Sequence, residues 1–461
     1  MTKNFLTLLF ILLGFLTCLK GQIWAVDSLP TPRSGNTFAK VGSKMVIIGG
    51  NNDSPSSIEI YDEPTKKWTK NKLSFIGAKL GTGVIGNKVF CLQGYDALTN
   101  QPAQNLDIYD ASTNTLKKDS LPFLPNEVGV GAIGSKLFVA GGLDITQTSV
   151  NTLNIVRIYD TLTQKWTYST PLSAARRSIE IIKVKNKLLF IGGFSENPST
   201  AWNWTFYKNI DIYDETTNKW STVYMKTGRL APIVTVSGSK VLIVGGMDKL
   251  DFVGAAPTLF YTKTVEIYDV DTDTWQVADL PKPRVAQNMA SYDKKAYLIS
   301  GDTQNEDATR TIYDKIDVYD FVTNKWTNIP FPSPAHLRRG GSINLSNKIY
   351  FVGGSLPDFQ PTKRIDILTL PLSNVFEVNV LSNRLSAFPN PVSDEMTVNF
   401  DKGDIKKYTI KITNTLGQTV YAQDGFEGNL NKIDVKKLNQ GLYFLTVHTS
   451  KGLKTQTFFK Q

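Results

Sequence analysis

The side chains that most often carry enzymatic chemistry are scarce in this chain. Its 461 residues include two histidines and two cysteines. Catalytic metal centres that need several imidazoles, and zinc sites built from thiolates, are therefore excluded. Asp269–Asp273 resembles the start of a calcium-binding loop, but Thr274 and Leu280 stand where such a loop needs glycine and glutamate. We expect no metal site and no cofactor.

Arginine recurs at one distance from a glycine-ending apolar run, and this spacing suggests binding chemistry. Four arginines stand 17 residues before the last glycine of such a run, and a fifth stands one place late in another copy. Guanidinium groups form directed hydrogen bonds with carboxylates and carbonyls. These side chains therefore either bond to carbonyls of a neighbouring element or bind a ligand. The five are Arg33, Arg176, Arg229, Arg284 and Arg338.

Four aromatic residues lie in two long segments outside the regular pattern of the chain. Trp202 and Trp204 share one of these segments, and Phe260 and Tyr261 belong to the other. Aromatic side chains on a long loop either pack beneath the loop or serve recognition. Beside arginine side chains they suit carbohydrates and protein partners. We therefore count these four residues, with the five arginines, as candidate ligand-binding residues.

The elements that must position these side chains form a repeat. A β-branched or aromatic run ending in glycine occurs seven times, 44 to 55 residues apart. A Tyr-Asp pair follows in six copies, with tryptophan, or once leucine, seven residues after the tyrosine. The runs end at residues 50, 94, 142, 193, 246, 301 and 354, and the tyrosines are Tyr61, Tyr109, Tyr159, Tyr213, Tyr268 and Tyr319.

These features resemble the kelch-repeat β-propeller, whose hallmarks are the glycine doublet, the Tyr-Asp pair and the spaced tryptophan. The resemblance covers residues 22–371. It implies an all-β domain of seven blades, each a sheet of four short antiparallel strands, a to d. Strand b is apolar throughout, as expected where neighbouring blades cover both of its faces. Because the arginines open the innermost strand a, we expect them to ring one mouth of the central channel.

Two segments compete for the outer strand of the seventh blade. The seventh copy lacks both the Tyr-Asp pair and the tryptophan. The segment Trp24–Arg33 matches the fifth-copy segment Trp275–Arg284 at six of ten positions. We therefore predict that the N-terminal segment completes blade seven. The alternative is that Val375–Val378 supplies this strand.

The resemblance also bears on catalysis. Galactose oxidase, a kelch enzyme, holds copper with two histidines and two tyrosines, whereas the propeller offers only His336. Copper oxidase chemistry is therefore excluded, and we favour a protein without catalysis. In kelch proteins that bind acidic ligands, arginines at this position line the pocket. Kelch sialic-acid mutarotases suggest an alternative, a metal-free sugar mutarotase or epimerase, with Glu127 and Glu180 as acid/base candidates.

Beyond the repeat, the pattern changes to short alternating strands over residues 385–461, after a linker at 372–384. This length suits a small immunoglobulin-like β-sandwich. The tail resembles the type A sorting domain of the Bacteroidetes type IX secretion system, which implies the secretion machinery as a partner. An accessory carbohydrate-binding sandwich is the alternative. The motif residues are Pro389, Asn390, Pro391, Gly417, Gly441 and Tyr443.

Residues 1–21 read as a signal peptide, with Lys3 before the apolar run Phe5–Leu16. A lipoprotein anchored at Cys18 is the less favoured alternative. Cleavage would leave Cys91 as the only cysteine, so we expect no disulfide. No later stretch approaches 18 apolar residues, so we expect no transmembrane span after cleavage. The protein is predicted to be secreted or displayed on the outer-membrane surface.

The distribution of charge excludes one further function class. The net charge of +10 is spread without a basic run, so nucleic-acid binding is excluded. The leading hypothesis is a secreted or surface-exposed binding module for an unidentified extracellular glycan or protein, acting as a monomer. The mutarotase is the runner-up, and a purely structural adhesin is a third possibility.

Overall fold

The computed structural model is built from strands. It falls into two compact units, Met1–Leu370 and Pro371–Gln461. The residues described are 23–50, 56–76, 81–95, 102–145, 150–196, 204–253, 256–282, 288–299, 302–304, 310–312, 315–332, 340–355, 360–371, 385–400, 406–415, 418–449 and 452–461. The signal peptide, the linker 372–384 with Val375–Val378, Trp202, Arg284, His336, Arg338 and Gly417 lie outside them.

The first unit is a ring of seven four-stranded antiparallel blades, as the sequence predicts. In blade 1 the strands a to d are β2 (Thr37–Val41), β3 (Lys44–Ile48), β4 (Ser57–Asp62) and β5 (Lys67–Lys72). In blade 2 they are β6 (Gly81–Ile85), β7 (Lys88–Tyr95), β8 (Pro102–Asp110) and β9 (Thr115–Ser120). In blade 3 they are β10 (Gly129–Ile133), β11 (Lys136–Ala140), β14 (Val156–Asp160) and β15 (Lys165–Tyr168).

Blades 4 to 7 repeat this order. Their strands are β16 (Glu180–Val184), β17 (Lys187–Ile191), β20 (Asn209–Asp214) and β21 (Lys219–Tyr224); β22 (Ile233–Ser237), β23 (Lys240–Val244), β26 (Thr264–Asp269) and β27 (Thr274–Asp279); β28 (Asn288–Tyr292), β29 (Lys295–Ile299), β32 (Lys315–Asp320) and β33 (Lys325–Pro330); and β34 (Gly341–Leu345), β35 (Lys348–Val352), β36 (Thr362–Thr369) and β1 (Ile23–Arg33).

Among the described residues, four blades show an extra hairpin between strands b and c. In blades 3 to 6 these hairpins are β12 (Leu143–Ile145) with β13 (Val150–Thr152), β18 (Phe194–Glu196) with β19 (Trp204–Phe206), β24 (Met247–Val253) with β25 (Ala256–Tyr261), and β30 (Asp302–Gln304) with β31 (Arg310–Ile312).

The ring closes through its innermost strands. Strand β2 of blade 1 lies against β6 of blade 2 on one side and β34 of blade 7 on the other. The approach is so close that a Cβ on Gly341 would lie 1.5 Å from the Phe38 ring. Strand b of each blade is covered on both faces, and in β3 the residues Val46, Ile47 and Ile48 are fully buried.

The spacing of tyrosine and tryptophan reflects the turn between strands c and d. The two residues face each other directly across the strands, as Tyr268 and Trp275 do with ring centroids 4.8 Å apart. The Tyr268 hydroxyl donates to Asp273 Oδ1, and Asp273 holds the left-handed turn conformation with φ of 54°. The repeat therefore fixes one turn geometry and places aromatic rings between blades.

Strand β1 forms the outer strand of blade 7, antiparallel to β36. Its Trp24 ring packs against Phe331 at 5.5 Å and Phe351 at 5.8 Å. Leu29 on the same strand is 2% exposed. The first strand of the repeat therefore shares a core with its last blade.

The second unit has two sheets around one apolar core. The first sheet contains β37 (Leu385–Phe388), β38 (Glu395–Phe400) and β41 (Leu430–Asp434); the second contains β40 (Thr419–Phe426), β39 (Tyr408–Asn414), β42 (Gly441–Thr449) and β43 (Gly452–Lys460), in that order. Core residues come from both sheets, Met396 from the first and Ile410 and Leu445 from the second among them. This is the sandwich that the sequence predicts.

Residues of the predicted sorting motif form hydrogen bonds within the sandwich and begin one of its strands. Asn390, between Pro389 and Pro391, accepts a hydrogen bond through its Oδ1 from the Phe459 amide at 2.8 Å. Tyr443 donates to the Asn439 carbonyl at 2.9 Å. Gly441, with φ of 153°, begins β42.

Candidate ligand site on the hairpin face

One end of the propeller carries both the b–c hairpins and the connections from strand d to the next strand a, and we call it the hairpin face. The hairpins of blades 4, 5 and 6 adjoin one another, since β19 contacts β24 and β25 contacts β30. Connections at such strand ends are common places for binding residues, because a rigid scaffold positions them.

The three described candidate arginines lie beneath this face and are fully buried. Arg33 pairs with Glu59 at 2.8 Å, Arg176 with Asp211 at 2.8 Å, and Arg229 with Glu266. They also donate to backbone carbonyls, as Arg176 does to Phe190 at 3.1 Å. The prediction that these three arginines line a ligand pocket is therefore corrected, because their side chains have no exposed surface.

Their backbone carbonyls join successive blades. The second glycine of a doublet donates to the arginine carbonyl of the next blade, as Gly142 does to Arg176 at 3.1 Å and Gly193 to Arg229 at 3.2 Å. A Cβ on Gly142, where φ is 95°, would lie 2.5 Å from the Asn126 carbonyl oxygen. At each of these junctions, the second glycine of the doublet and the arginine therefore link two neighbouring blades through a backbone hydrogen bond.

The acidic partners of these arginines were not identified from the sequence, although they occupy a constant position in the repeat. Glu59, Asp211 and Glu266 each stand two residues before the tyrosine of the Tyr-Asp pair. Burial lowers the pKa of the Arg176 guanidinium below its usual value, and the facing Asp211 opposes that shift. A buried charge of this kind needs a paired, hydrogen-bonded counter-charge.

The arginine that reaches the hairpin face is the neighbouring Arg177. Its guanidinium pairs with Glu127 at 2.9 Å and with Glu196 at 2.6 Å. The Arg177 side chain is 10% exposed, whereas those of Glu127 and Glu196 are 39% and 40% exposed. Ser178 donates to the other oxygen of Glu127 at 3.1 Å. Two half-exposed carboxylates are thus held on one largely buried arginine, and we call this the Arg177 cluster.

The local backbone explains this geometry. Arg177 and Phe194 exchange two backbone hydrogen bonds, of 2.9 and 3.1 Å, which join hairpin β18–β19 to the connection before strand a of blade 4. The guanidinium also lies 4.3 Å from the Phe194 ring centroid. Glu127 belongs to the d–a connection of blade 3, and its carbonyl accepts from the Ser178 amide at 3.0 Å. The cluster therefore spans the junction of blades 3 and 4.

Two of the predicted aromatic residues flank this region. Trp204 faces Glu196 across the hairpin, and its ring lies 4.8 Å from that of Phe194. Phe260, on the adjoining hairpin of blade 5, is 40% exposed and lies 5.0 Å from the Lys249 ammonium. Tyr261 is half-buried opposite Met247. The structure thus brings Trp204 to the Arg177 cluster and places Phe260 and Tyr261 on the next hairpin.

The site offers carboxylate acceptors, an arginine and an aromatic ring. Within the described residues, no group of three or more His, Cys, Asp or Glu side chains is arranged to hold a metal ion. The same residues include no helix that is long and apolar enough to cross a membrane.

Comparison with known families and structures matches both units. Residues 130–354 match the KLHDC2/KLHL20/DRC7 Kelch-repeats domain and residues 32–70 match the Kelch motif. Residues 386–461 match the Secretion system C-terminal sorting domain. A fungal alcohol oxidase of the AA5 family, solved in complex with copper, has 14% identity and a TM-score of 0.54 over 95% of this chain and 99% of its own. This likeness concerns the fold.

Curated relatives share the repeat. Kelch-like protein 25 of Xenopus tropicalis is 27% identical over 43% of this chain and 32% of its own length. Kelch-like protein terF of Aspergillus terreus is 26% identical over 46% of this chain and 45% of its own length. The chain thus spans less than half the length of these relatives. Its sorting domain indicates export by the type IX secretion system, to the cell surface or as a secreted protein. The chain is a kelch-repeat β-propeller protein with a C-terminal secretion-system sorting domain.

Proposed function

We propose that this exported propeller is a carbohydrate-binding module that uses the Arg177 cluster on its hairpin face. The observation that carries the proposal is the pair of half-exposed carboxylates, Glu127 and Glu196, held on one arginine beside Trp204. Fixed carboxylates accept hydrogen bonds from adjacent sugar hydroxyls, and an indole ring packs against the apolar face of a sugar. The arginine keeps both acceptors in place, which lowers the ordering cost of binding.

The charges favour a neutral sugar over an acidic one. Two carboxylates and one guanidinium leave the cluster with one net negative charge. Arg33, Arg176 and Arg229 are neutralised beneath the surface and cannot reach a ligand. A carboxylate ligand would meet two like charges here, which costs binding energy. Of the glycan ligands that the sequence leaves open, the cluster therefore suits a neutral glycan.

The test is a glycan array probed with the wild-type chain and with Trp204→Ala and Arg177→Met. We expect binding to neutral glycans, reduced about tenfold or more in both variants, which corresponds to about 1.4 kcal/mol. Tyr224→Ala is the matched control, because Tyr224 is 61% exposed at the end of an outer strand. Wild-type-like binding by both site variants would exclude this site.

A metal-free mutarotase is the second candidate. It needs a proton donor and a proton acceptor near the sugar ring. Glu127 is fixed by Arg177, and Glu180 is exposed where the inner strand β16 begins, so both candidate carboxylates belong to neighbouring parts of blades 3 and 4. NMR exchange between sugar anomers tests this function. Acceleration by the wild type that is lost in Glu127→Gln would favour the enzyme over the binding module.

A further inference from the structure

Blade 3 departs from the arginine–acid pairing that blades 1, 4 and 5 share. In those blades a buried acidic residue of strand c pairs with an arginine of the d–a connection. In blade 3 the acid position is held by Arg157, and the arginine position by Pro125. Blade 3 therefore lacks both the acidic residue and the arginine of this pair, and a guanidinium stands where the other blades have a carboxylate.

The Arg157 guanidinium lies beside aromatic rings rather than acidic side chains. It lies 4.3 Å from the ring centroid of Phe123 and 6.0 Å from that of Tyr168, its direct cross-strand neighbour. Phe123 is itself held edge-on by Trp166 at 5.2 Å. Arg157 forms no ion pair with any described residue, and its Nε is buried without an acceptor.

The surroundings of this guanidinium open to solvent. Tyr168 is 77% exposed at the end of the outer strand β15, and Leu124, beside Phe123, is 52% exposed. Tyr168 and Leu124 therefore leave apolar surface within reach of a ligand bound at the guanidinium. The site lies in blade 3, whose d–a connection also carries Glu127 of the Arg177 cluster.

We propose that Arg157, with Phe123, Leu124 and Tyr168, is a binding site for a carboxylate ligand, separate from the neutral-glycan site. The guanidinium fork takes a carboxylate in a bidentate geometry, and flanking rings exclude water and strengthen that contact. Leu124 and the Tyr168 ring supply apolar contact for the group that bears the carboxylate. The excess of basic over acidic residues in the chain favours the approach of such an anion. The carboxylate belongs either to an acidic sugar or to an acidic side chain of a peptide.

Calorimetric titration of the full chain distinguishes these sources. One arm uses a hexuronic-acid oligosaccharide and the other a hexamer of glutamate. We expect one arm to show binding that weakens with salt. We expect that Arg157→Gln weakens it at least tenfold and that Tyr168→Ala weakens it as well. Because Tyr168 is 77% exposed, its variant tests the site without disturbing the fold.

A control isolates the site from net charge. Lys118→Gln removes the same charge from an exposed residue of the outer strand β9. This variant is expected to bind as the wild type does. The proposal is overturned if neither probe binds, if Arg157→Gln binds unchanged, or if Lys118→Gln weakens binding as much as Arg157→Gln. Melting temperatures of all variants show whether a loss of binding reflects unfolding.

Discussion

At the scale of single residues, adjacent arginines have opposite roles. Arg176 points into the blade and pairs with Asp211, both side chains being at most 3% exposed. Arg177 points to the hairpin face and holds two half-exposed carboxylates. Successive residues of an extended chain project to opposite sides, so one register decides which arginine meets solvent.

This difference predicts divergent effects of the same substitution. Arg176→Met leaves Asp211 buried without a counter-charge, so the free energy of unfolding is expected to fall by about 3–5 kcal/mol. Arg177→Met leaves carboxylates that water still reaches, so a loss below about 1 kcal/mol is expected, together with weaker glycan binding. Urea unfolding of both variants measures the contrast. Equal losses of stability would refute the two roles.

The sequence contained enough to locate the arginines but not to orient them. Their constant spacing from the glycine doublet predicts the start of strand a, and the structure places Arg176 and Arg177 in the connection just before strand a of blade 4. Which of the two is buried depends on the backbone bridge between Arg177 and Phe194, a contact that no local pattern specifies. Arg157 could be recognised only once the acid position of the other blades was known.

At the scale of elements, a turn of blade 1 is fastened to a strand of blade 7. Glu63, directly after the Tyr61–Asp62 pair, accepts from Lys66 at 2.6 Å, from Lys348 at 2.9 Å and from the Tyr350 hydroxyl at 3.3 Å. The bonds from Lys66 and Lys348 lower the pKa of Glu63 from 4.5 to about 2. The first and last blades are thus joined by an ionised side chain.

The pKa of Glu63 predicts a pH-dependent contribution to ring stability. Because the folded-state pKa lies below the unfolded-state value, the stabilisation is fully present above pH 4.5 and is lost as the pH falls towards 2. Wild type is therefore expected to melt above Glu63→Gln at pH 7, with a difference that shrinks at pH 3. Thermal melts at pH 7, 5 and 3 measure this.

The control for this experiment is Asp279→Asn, which removes an ion pair with Lys263 at 3.0 Å whose side chains are 55% and 59% exposed. It is expected to change the melting temperature little at any of these pH values, because water screens exposed pairs. A constant difference between wild type and Glu63→Gln from pH 7 to pH 3 would contradict the role of the charge.

At the scale of the whole molecule, the propeller could be predicted because the repeated residues are the ones that its backbone conformation and blade packing require. Glycine doublets occur where the backbone has positive φ and blades crowd together, and the Tyr-Trp offset measures one turn. The extra hairpins of blades 3 to 6 were less predictable, because their segments follow no repeat. Trp204, a candidate ligand-binding residue from the sequence, owes its position to pairing with Glu196.

Ring closure by β1 can be tested by removing it. A chain that lacks residues 23–30 loses Trp24 and Leu29 from the core of blade 7 and leaves the edge of β36 without its partner. We expect a free energy of unfolding lower by about 3 kcal/mol or more, the usual cost of removing a large buried aromatic side chain. Thermal melts of the shortened and complete chains measure this loss.

A peptide spanning residues 23–33 provides the second arm. Added in excess to the shortened chain, it is expected to raise the melting temperature by taking the place of the missing strand on β36. A scrambled peptide of the same composition is the control. An unchanged melting temperature on removal of residues 23–30 would show that the ring does not depend on β1.

The pairing of β1 with β36 has a consequence for the order of events during synthesis. Strand β1 is synthesised first but pairs with β36, the last strand of the repeat, so an incomplete chain cannot close the ring. Such a chain keeps β1 without its partner strand, and an unpaired strand edge favours aggregation. Closure of blade 7 therefore requires the complete repeat, and we expect a propeller that lacks its last strands to be cleaved by proteases faster than the complete one.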